Sequence, residues 1–198
     1  MRRTQAQRSA ATQEALREAA RRLWGRRGYA EVSTPEIAQA AGVTRGAMYH
    51  QFPHKSALFV AVLEAVETEL MGRLAATVAA AGPETPADAF HAAADAWIDI
   101  ASEPEIRQLV MLDAPSVLGW AAFREVSQRY ALGMTEELLG EAIEAGQLRP
   151  QPVRPLATVL LGALDEAAMS IANAQDVERE REQVRAVVHT LIDGFTVR

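Results

Sequence analysis

The sequence predicts an all-α protein, and three observations carry that prediction. Apolar residues recur at spacings of three and four rather than two. The nine prolines, Pro35, Pro53, Pro83, Pro86, Pro104, Pro115, Pro150, Pro152 and Pro155, all stand where a helix can begin or end. Alanine, the strongest helix former, supplies 39 of the 198 residues. No stretch alternates as a half-buried strand would, and about nine helices are expected.

Leu16, Ala19, Ala20, Leu23 and Trp24 line one face of a first helix, which ends near Gly28. Two caps compete for the next start. Pro35 favours Thr34, whereas Glu36 three residues after Ser33 favours a capping box on Ser33. Ile37, Ala38 and Ala41 form the apolar face of this short helix, Gly42 supplies a tight turn and Val43 fills the space behind it. Thr44 caps a second short helix that reaches Phe52, with Met48 and Phe52 pointing inward at i and i+4. The stripe Leu58, Val62, Val66, Leu70, Leu74 and Val78 then marks a helix over about 54–80, some ~40 Å long at 1.5 Å per residue. Further helices are expected over about 86–102, 104–112, 121–145, 155–174 and 176–194. Pro115 and Gly119 break the chain between two of these and bring Trp120 beside Phe123 as a pocket wall or lid.

Composition narrows the function classes. With 49% apolar and 23% charged residues the chain is an ordinary globular one. The absence of cysteine excludes disulfides, thiolate metal sites and a thiol nucleophile. The N-terminus carries arginines without an apolar core, so no signal peptide is read there. The longest apolar stretch, 156–164, stops at Asp165 and Glu166, short of a membrane span. A cytoplasmic protein with no membrane partner is therefore expected. No Gly-rich phosphate loop or nucleophile elbow is present, and His50, His54, His91 and His189 lack metal-ligand spacing. No catalytic residue, metal ligand or cofactor is predicted.

The net charge of −6 divides unevenly. Residues 1–60 hold ten basic and four acidic side chains, a net +6, and residues 61–198 carry −12. A basic head on an acidic body suggests a nucleic-acid-binding module joined to a second function. The two short helices around Gly42 describe a helix-turn-helix, whose second helix enters the major groove. Its outer side presents Arg45, Gly46, Tyr49 and His50. Arg45 suits a bidentate contact to a guanine edge. Gly46 lets the backbone approach the bases at about 1 kcal/mol of helix stability. Tyr49 and His50 suit phosphates, and Lys55 opens the next helix, where free N–H groups favour an anion.

The run from Thr34 to Leu58 resembles the DNA-binding domain of TetR-family transcriptional regulators. Ile37, Ala38, Ala41, Gly42, Val43, Thr44, Gly46, Met48, Tyr49, Phe52, Lys55 and Leu58 stand at the family's pattern positions, and Trp24, Gly28, Tyr29, Ser33 and Thr34 also fit. His54 departs from it, standing where the family often has a small capping residue. The resemblance implies phosphate contacts from Thr34, Thr44, Tyr49, His50 and Lys55, with Arg45 and Gly46 near bases. Arg2, Arg3 and Arg8 form either a minor-groove arm or a plain terminus.

It further implies a three-helix DNA-binding domain over 1–54 and a helical ligand-binding and dimerisation domain over 55–198. The implied partners are an operator on double-stranded DNA, a small-molecule effector and a second copy of the chain. The two copies would meet through the last two helices, by Leu160, Leu161, Leu164, Ala168 and Ile171 on one and Val184, Val187, Val188, Leu191 and Ile192 on the other, with Gly162 allowing close approach. The function expected is a repressor released from a pseudo-palindromic operator when an effector shifts a two-state equilibrium, with the helix shared by both domains as lever. Candidate effector residues are Trp97, Asp113, Trp120, Phe123, Tyr130, Asp165 and Met169. Asp99, Asp113 and Asp165 lie in apolar surroundings and either find partners such as Arg107 or a helix end, or face a polar or cationic ligand. The alternatives are a non-switching helical DNA binder and a helical ligand carrier or enzyme.

Overall fold

The computed structural model describes residues 4–197, so Arg2 and Arg3 lie outside the described residues. Nine helices are present among those residues: α1 (Gln5–Arg27), α2 (Thr34–Ala40), α3 (Arg45–Gln51), α4 (Lys55–Ala81), α5 (Pro86–Ala101), α6 (104–118), α7 (Trp120–Glu144), α8 (Val153–Asn173) and α9 (Val177–Asp193). The all-α expectation holds, and the chain forms two compact units. One comprises residues 1–66 with 104–117, the other 67–103 with 118–198. This division differs from the expected boundary at 54 and 55 in two ways. Helix α4 continues unbroken from the first unit into the second, and α6 folds with the first unit despite lying far along the chain.

In the first unit α1 packs on α2, α3 and α6. Thr4 starts α1 with a capping box to Gln7, so Arg8 is part of a helix rather than an extended arm. The buried residues include Leu16, Ala20, Trp24, Ile37, Met48, Leu58 and Phe59. Trp24, Tyr29 and Phe59 form an aromatic trio with ring centroids 5.2 to 5.4 Å apart. Helix α6 joins them because Ile106, Leu109, Val110, Met111 and Ala114 are all buried. Arg21 grips Glu105 through two hydrogen bonds of 2.9 and 3.1 Å.

Pro115 does not break α6. The stretch Arg107–Asp113 is a π-helix, in which the Ala114 N–H donates to the Leu109 carbonyl five residues back. These wider turns relieve the clash that a proline ring normally makes with the preceding turn. Gly119, at φ +79°, ends the helix instead.

In the second unit α5, α7, α8 and α9 pack on one another. Their shared core includes Phe90, Ile98, Leu139, Leu156, Leu160, Ile171, Val188 and Ile192. A row of ion pairs joins α5 to α9: Asp95 with His189 (2.8 Å), His91 with Asp193 (3.0 Å), and Asp99 with Arg181 and Arg185. Asp99 therefore finds its partners on α9, not at Arg107. Helix α8 is long and apolar enough, by length and composition, to cross a membrane. In this fold its apolar face lies in the bundle, and Asp165 is buried near its middle.

The expected dimer faces are largely used inside the chain. Leu160, Ala168, Ile171, Val188 and Ile192 are buried in the unit's own core, leaving Val159, Val187 and Leu191 exposed at 65%, 60% and 47%. Gly162 makes room for the Arg124 guanidinium, which would stand 3.3 Å from an added Cβ.

Candidate nucleic-acid interface and buried cavity

The helix-turn-helix is built by local chemistry. Ser33, not Thr34, caps α2. Its hydroxyl accepts from the Glu36 N–H, while the Glu36 carboxylate accepts the Ser33 N–H at 2.9 Å. The Ser33 backbone and side chain and the Arg27 guanidinium (2.9 Å) hold the Glu36 carboxyl down to about 2. Gly42 makes the turn at φ +68°, a left-handed conformation that a side chain would strain. Thr44 then caps α3 by accepting the Ala47 N–H at 3.1 Å.

Buried Met48 fixes the roll of α3, so Arg45, Gly46, Tyr49 and His50 lie together on its exposed side, with Thr44 exposed at its start. The Tyr49 hydroxyl meets that of Thr34 at 3.1 Å, and the Arg45 guanidinium lies 5.5 Å from the Tyr49 ring centre. Thr34 first, then Arg45, lower the Tyr49 phenol below its ordinary value. Thr34, Arg45 and Tyr49 thus form one preorganised polar surface.

Lys55 is placed differently from its neighbours. Its ammonium lies 4.0 Å over the Tyr29 ring and donates to the Tyr29 carbonyl. Burial lowers its pKa, against the pull of Asp113 and Glu36. One of its three N–H groups is used this way. Asp113, on α6, accepts the Tyr29 N–H at 2.8 Å and a Gln108 amide hydrogen at 3.1 Å. Asp113, expected as an effector residue, is therefore a structural acceptor beside the DNA-reading helices.

His54 resolves the departure at the start of α4. Its Nδ1 accepts the Ala57 N–H at 3.0 Å and stands 2.8 Å from the Ser56 hydroxyl, so the imidazole acts as the cap. His54→Ala is expected to cost about 1 kcal/mol in chemical denaturation, and His54→Ser to restore most of it. Equal stability of all three proteins would remove this role.

The second unit encloses a cavity lined by α4, α5, α7 and α8, among others by Glu67, Phe90, Trp97, Met134, Leu164 and Asp165. It has about 50 Å³ of room for the centres of water-sized molecules, several times the roughly 10–15 Å³ that one water needs. The Trp97 N–H donates to the Leu164 carbonyl at 3.3 Å, fixing the indole in the wall. Burial pushes the Glu67 carboxyl up to about 7, with the Asp165 charge adding to it. Burial likewise pushes Asp165 up to about 6, against the pull of Arg124.

Of the expected effector residues, Trp97 and Asp165 meet in this cavity. Trp120 is half exposed and rests on buried Phe123 at 5.6 Å, and neither lines the cavity, nor does Tyr130. Met169 lies in a separate open groove with Arg179 and Glu180. Glu67 was not among the candidates. Its position, four residues after Leu63 and three before Leu70, places it in the apolar stripe of α4, and that spacing is the signal by which it can be found.

This fold and this surface define a helix-turn-helix DNA-binding protein with a separate helical domain. Residues 16–62 match the family model for bacterial regulatory proteins of the tetR family, and residues 87–195 match a tetracyclin repressor-like C-terminal domain. The chain belongs to the TetR family of transcriptional regulators. An HTH-type transcriptional repressor of Mycobacterium tuberculosis is 30% identical over 86% of this chain and 87% of its own length. A TetR-family regulator of Pectobacterium atrosepticum has a crystal structure that superposes with a TM-score of 0.88, at 33% identity and covering 99% of both chains. The structure of RolR with resorcinol shares the fold at a TM-score of 0.74 and 21% identity, over 94% of this chain and 90% of that one.

Proposed function

We propose that the protein is a cytoplasmic repressor that binds a pseudo-palindromic operator as a homodimer and leaves it when a small molecule enters the cavity of its second unit. The observation that carries the DNA half is the exposed set Thr44, Arg45, Gly46, Tyr49 and His50 on one side of α3, joined to Thr34 through Tyr49. Arg45 reads a base edge, Gly46 allows close approach, and Thr34, Thr44, Tyr49 and His50 hold phosphates. Lys55 keeps one N–H on Tyr29 and offers the others to a phosphate at the start of α4. The relative from Mycobacterium tuberculosis, itself described as a repressor, supports the sign of regulation.

The dimer forms through α8 and α9, whose exposed Val159, Val187 and Leu191 are the large apolar side chains left uncovered there. A two-fold pair places the recognition helices one DNA turn apart, about 34 Å. Leu191→Glu is expected to convert the dimer to monomer in sedimentation at micromolar protein. An unchanged dimer would place the interface elsewhere.

The deciding experiment selects binders from genomic DNA and measures the recovered site against variants by fluorescence anisotropy over a salt series. Arg45→Ala is expected to cost about 1–3 kcal/mol at one base pair of each half-site and to relax preference there. Lys55→Ala is expected to weaken all sequences alike and to lower the salt slope by about 1. Unaltered operator binding by both variants would overturn these assignments.

A further inference from the structure

Glu67 and Asp165 are 3% and 8% exposed, yet both line the same cavity. Neither carboxylate closes a hydrogen bond or an ion pair with a described residue. Buried carboxylates without partners are costly, and a core shaped only for stability would carry apolar side chains at both positions. Arg124 is the cation that acts on Asp165. Its guanidinium lies against Gly162 and is not among the side chains that line the cavity. Five other ionisable side chains of the surrounding helices are engaged elsewhere. His91, Asp95 and Asp99 of α5 turn to α9, and Arg73 of α4 pairs with Glu103. Glu166, next to Asp165, lines the open groove on the other side of α8. The cavity wall therefore carries two carboxyl groups and no cationic side chain.

The remaining wall is apolar and aromatic, with Phe90, Trp97, Met71 and Met134. Trp97 has already committed its N–H to Leu164, which leaves its ring to act by area and π-charge. An anion would meet two acids of its own sign. A neutral molecule would offer neither carboxylate an opposite charge.

We propose that this cavity takes an apolar organic cation, an alkyl- or arylalkylammonium ion whose hydrocarbon part lies against Trp97 and Phe90 and whose N–H groups donate to Glu67 and Asp165. This rests on reading the second unit as the effector-sensing part, and it adds the chemical class of the effector. Burial keeps part of a proton on the two acids near neutral pH, so a bound cation replaces that proton and releases it to solvent.

The test titrates the full-length protein by calorimetry at pH 7 with phenethylammonium chloride, 2-phenylethanol and sodium phenylacetate, in two buffers of different ionisation enthalpy. The ammonium ion is expected to bind about tenfold tighter than the alcohol, with proton release, and phenylacetate not at all. Glu67→Gln is expected to weaken the ammonium ion about tenfold and to reduce the proton release, leaving the alcohol unchanged. Asp165→Asn repeats the test should Glu67→Gln fold poorly. Equal binding of the three probes, no binding of any of them, or a cation preference that survives both substitutions would overturn the proposal. Operator release is measured separately. Cation binding without release would sink the effector reading and leave the ligand class standing, whereas release by a different molecule without cation binding would do the reverse.

Discussion

Trp24→Ala is expected to cost about 3–5 kcal/mol of stability and to abolish operator binding, although Trp24 touches no proposed DNA contact. The indole is fully buried, and it sits 5.4 Å from both Tyr29 and Phe59, centre to centre. These rings set where α4 begins relative to α1, and Lys55 rests on Tyr29. Truncation would leave a large void, because close-packed interiors collapse only partly around such losses. Trp24→Phe is expected to cost far less, below about 1.5 kcal/mol. The buried Trp24 Nε1–H has no hydrogen-bond partner among the described residues, so removing it relieves an unsatisfied donor while part of the ring area is lost. Urea denaturation followed by circular dichroism checks both. Similar losses for the two variants would show that the trio is not what holds the head together.

Glu67→Gln is expected to stabilise the protein at pH 8 and to do almost nothing at pH 4. In the unfolded chain Glu67 and Asp165 ionise at their ordinary values of 4.5 and 3.8, whereas in the fold burial, the larger cause for each, holds them up to about 7 and 6. The folded state therefore keeps protons that the unfolded state has given up. Their contribution is most favourable below about pH 4 and is lost as pH rises through the folded values to about 7.5. At 1.36 kcal/mol for each pKa unit, the two groups cost on the order of 3 kcal/mol each at high pH. The glutamine variant removes the Glu67 share, a gain of several degrees in melting temperature at pH 8 for a chain of this size. The comparison is made between variant and parent at each pH, because exposed pairs such as Glu36 with Arg27 act in the opposite sense. The same difference at pH 4 and pH 8 would show that Glu67 is not titrating in a buried site.

What the sequence made legible was set by local chemistry. Caps, the Gly42 turn and the roll of α3 all depend on residues within a few positions of one another, so the exposed polar side of α3 emerges from spacing alone. Even there, the choice between Ser33 and Thr34 turned on one carboxylate, that of Glu36, reaching back. Asp113 was misplaced because its partner, the Tyr29 N–H, lies 84 residues away, and its apolar neighbours in sequence bury against α1 rather than around a ligand. Glu67 escaped notice because a helical stripe was read for its apolar members and not for the acid among them. The π-helical stretch before Pro115 depends on how α6 is held by its surroundings, which spacing does not report. The dimer faces were overfilled for a similar reason, since apolar spacing marks which side chains are buried without telling one chain's core from a second copy.

The joining of residues 104–117 to the first 66 has a consequence for how such proteins can be recombined. The reading head is not a removable prefix. Cutting the chain after residue 66 would strip away Ile106, Leu109, Val110 and Met111, all of them buried, and leave a greasy scar along α1. A functional graft onto another scaffold must carry two pieces of chain, the prefix and the distant α6, or supply an equivalent helix of its own. Exchange of heads between relatives by simple splicing is then limited to partners whose sixth helix already fits.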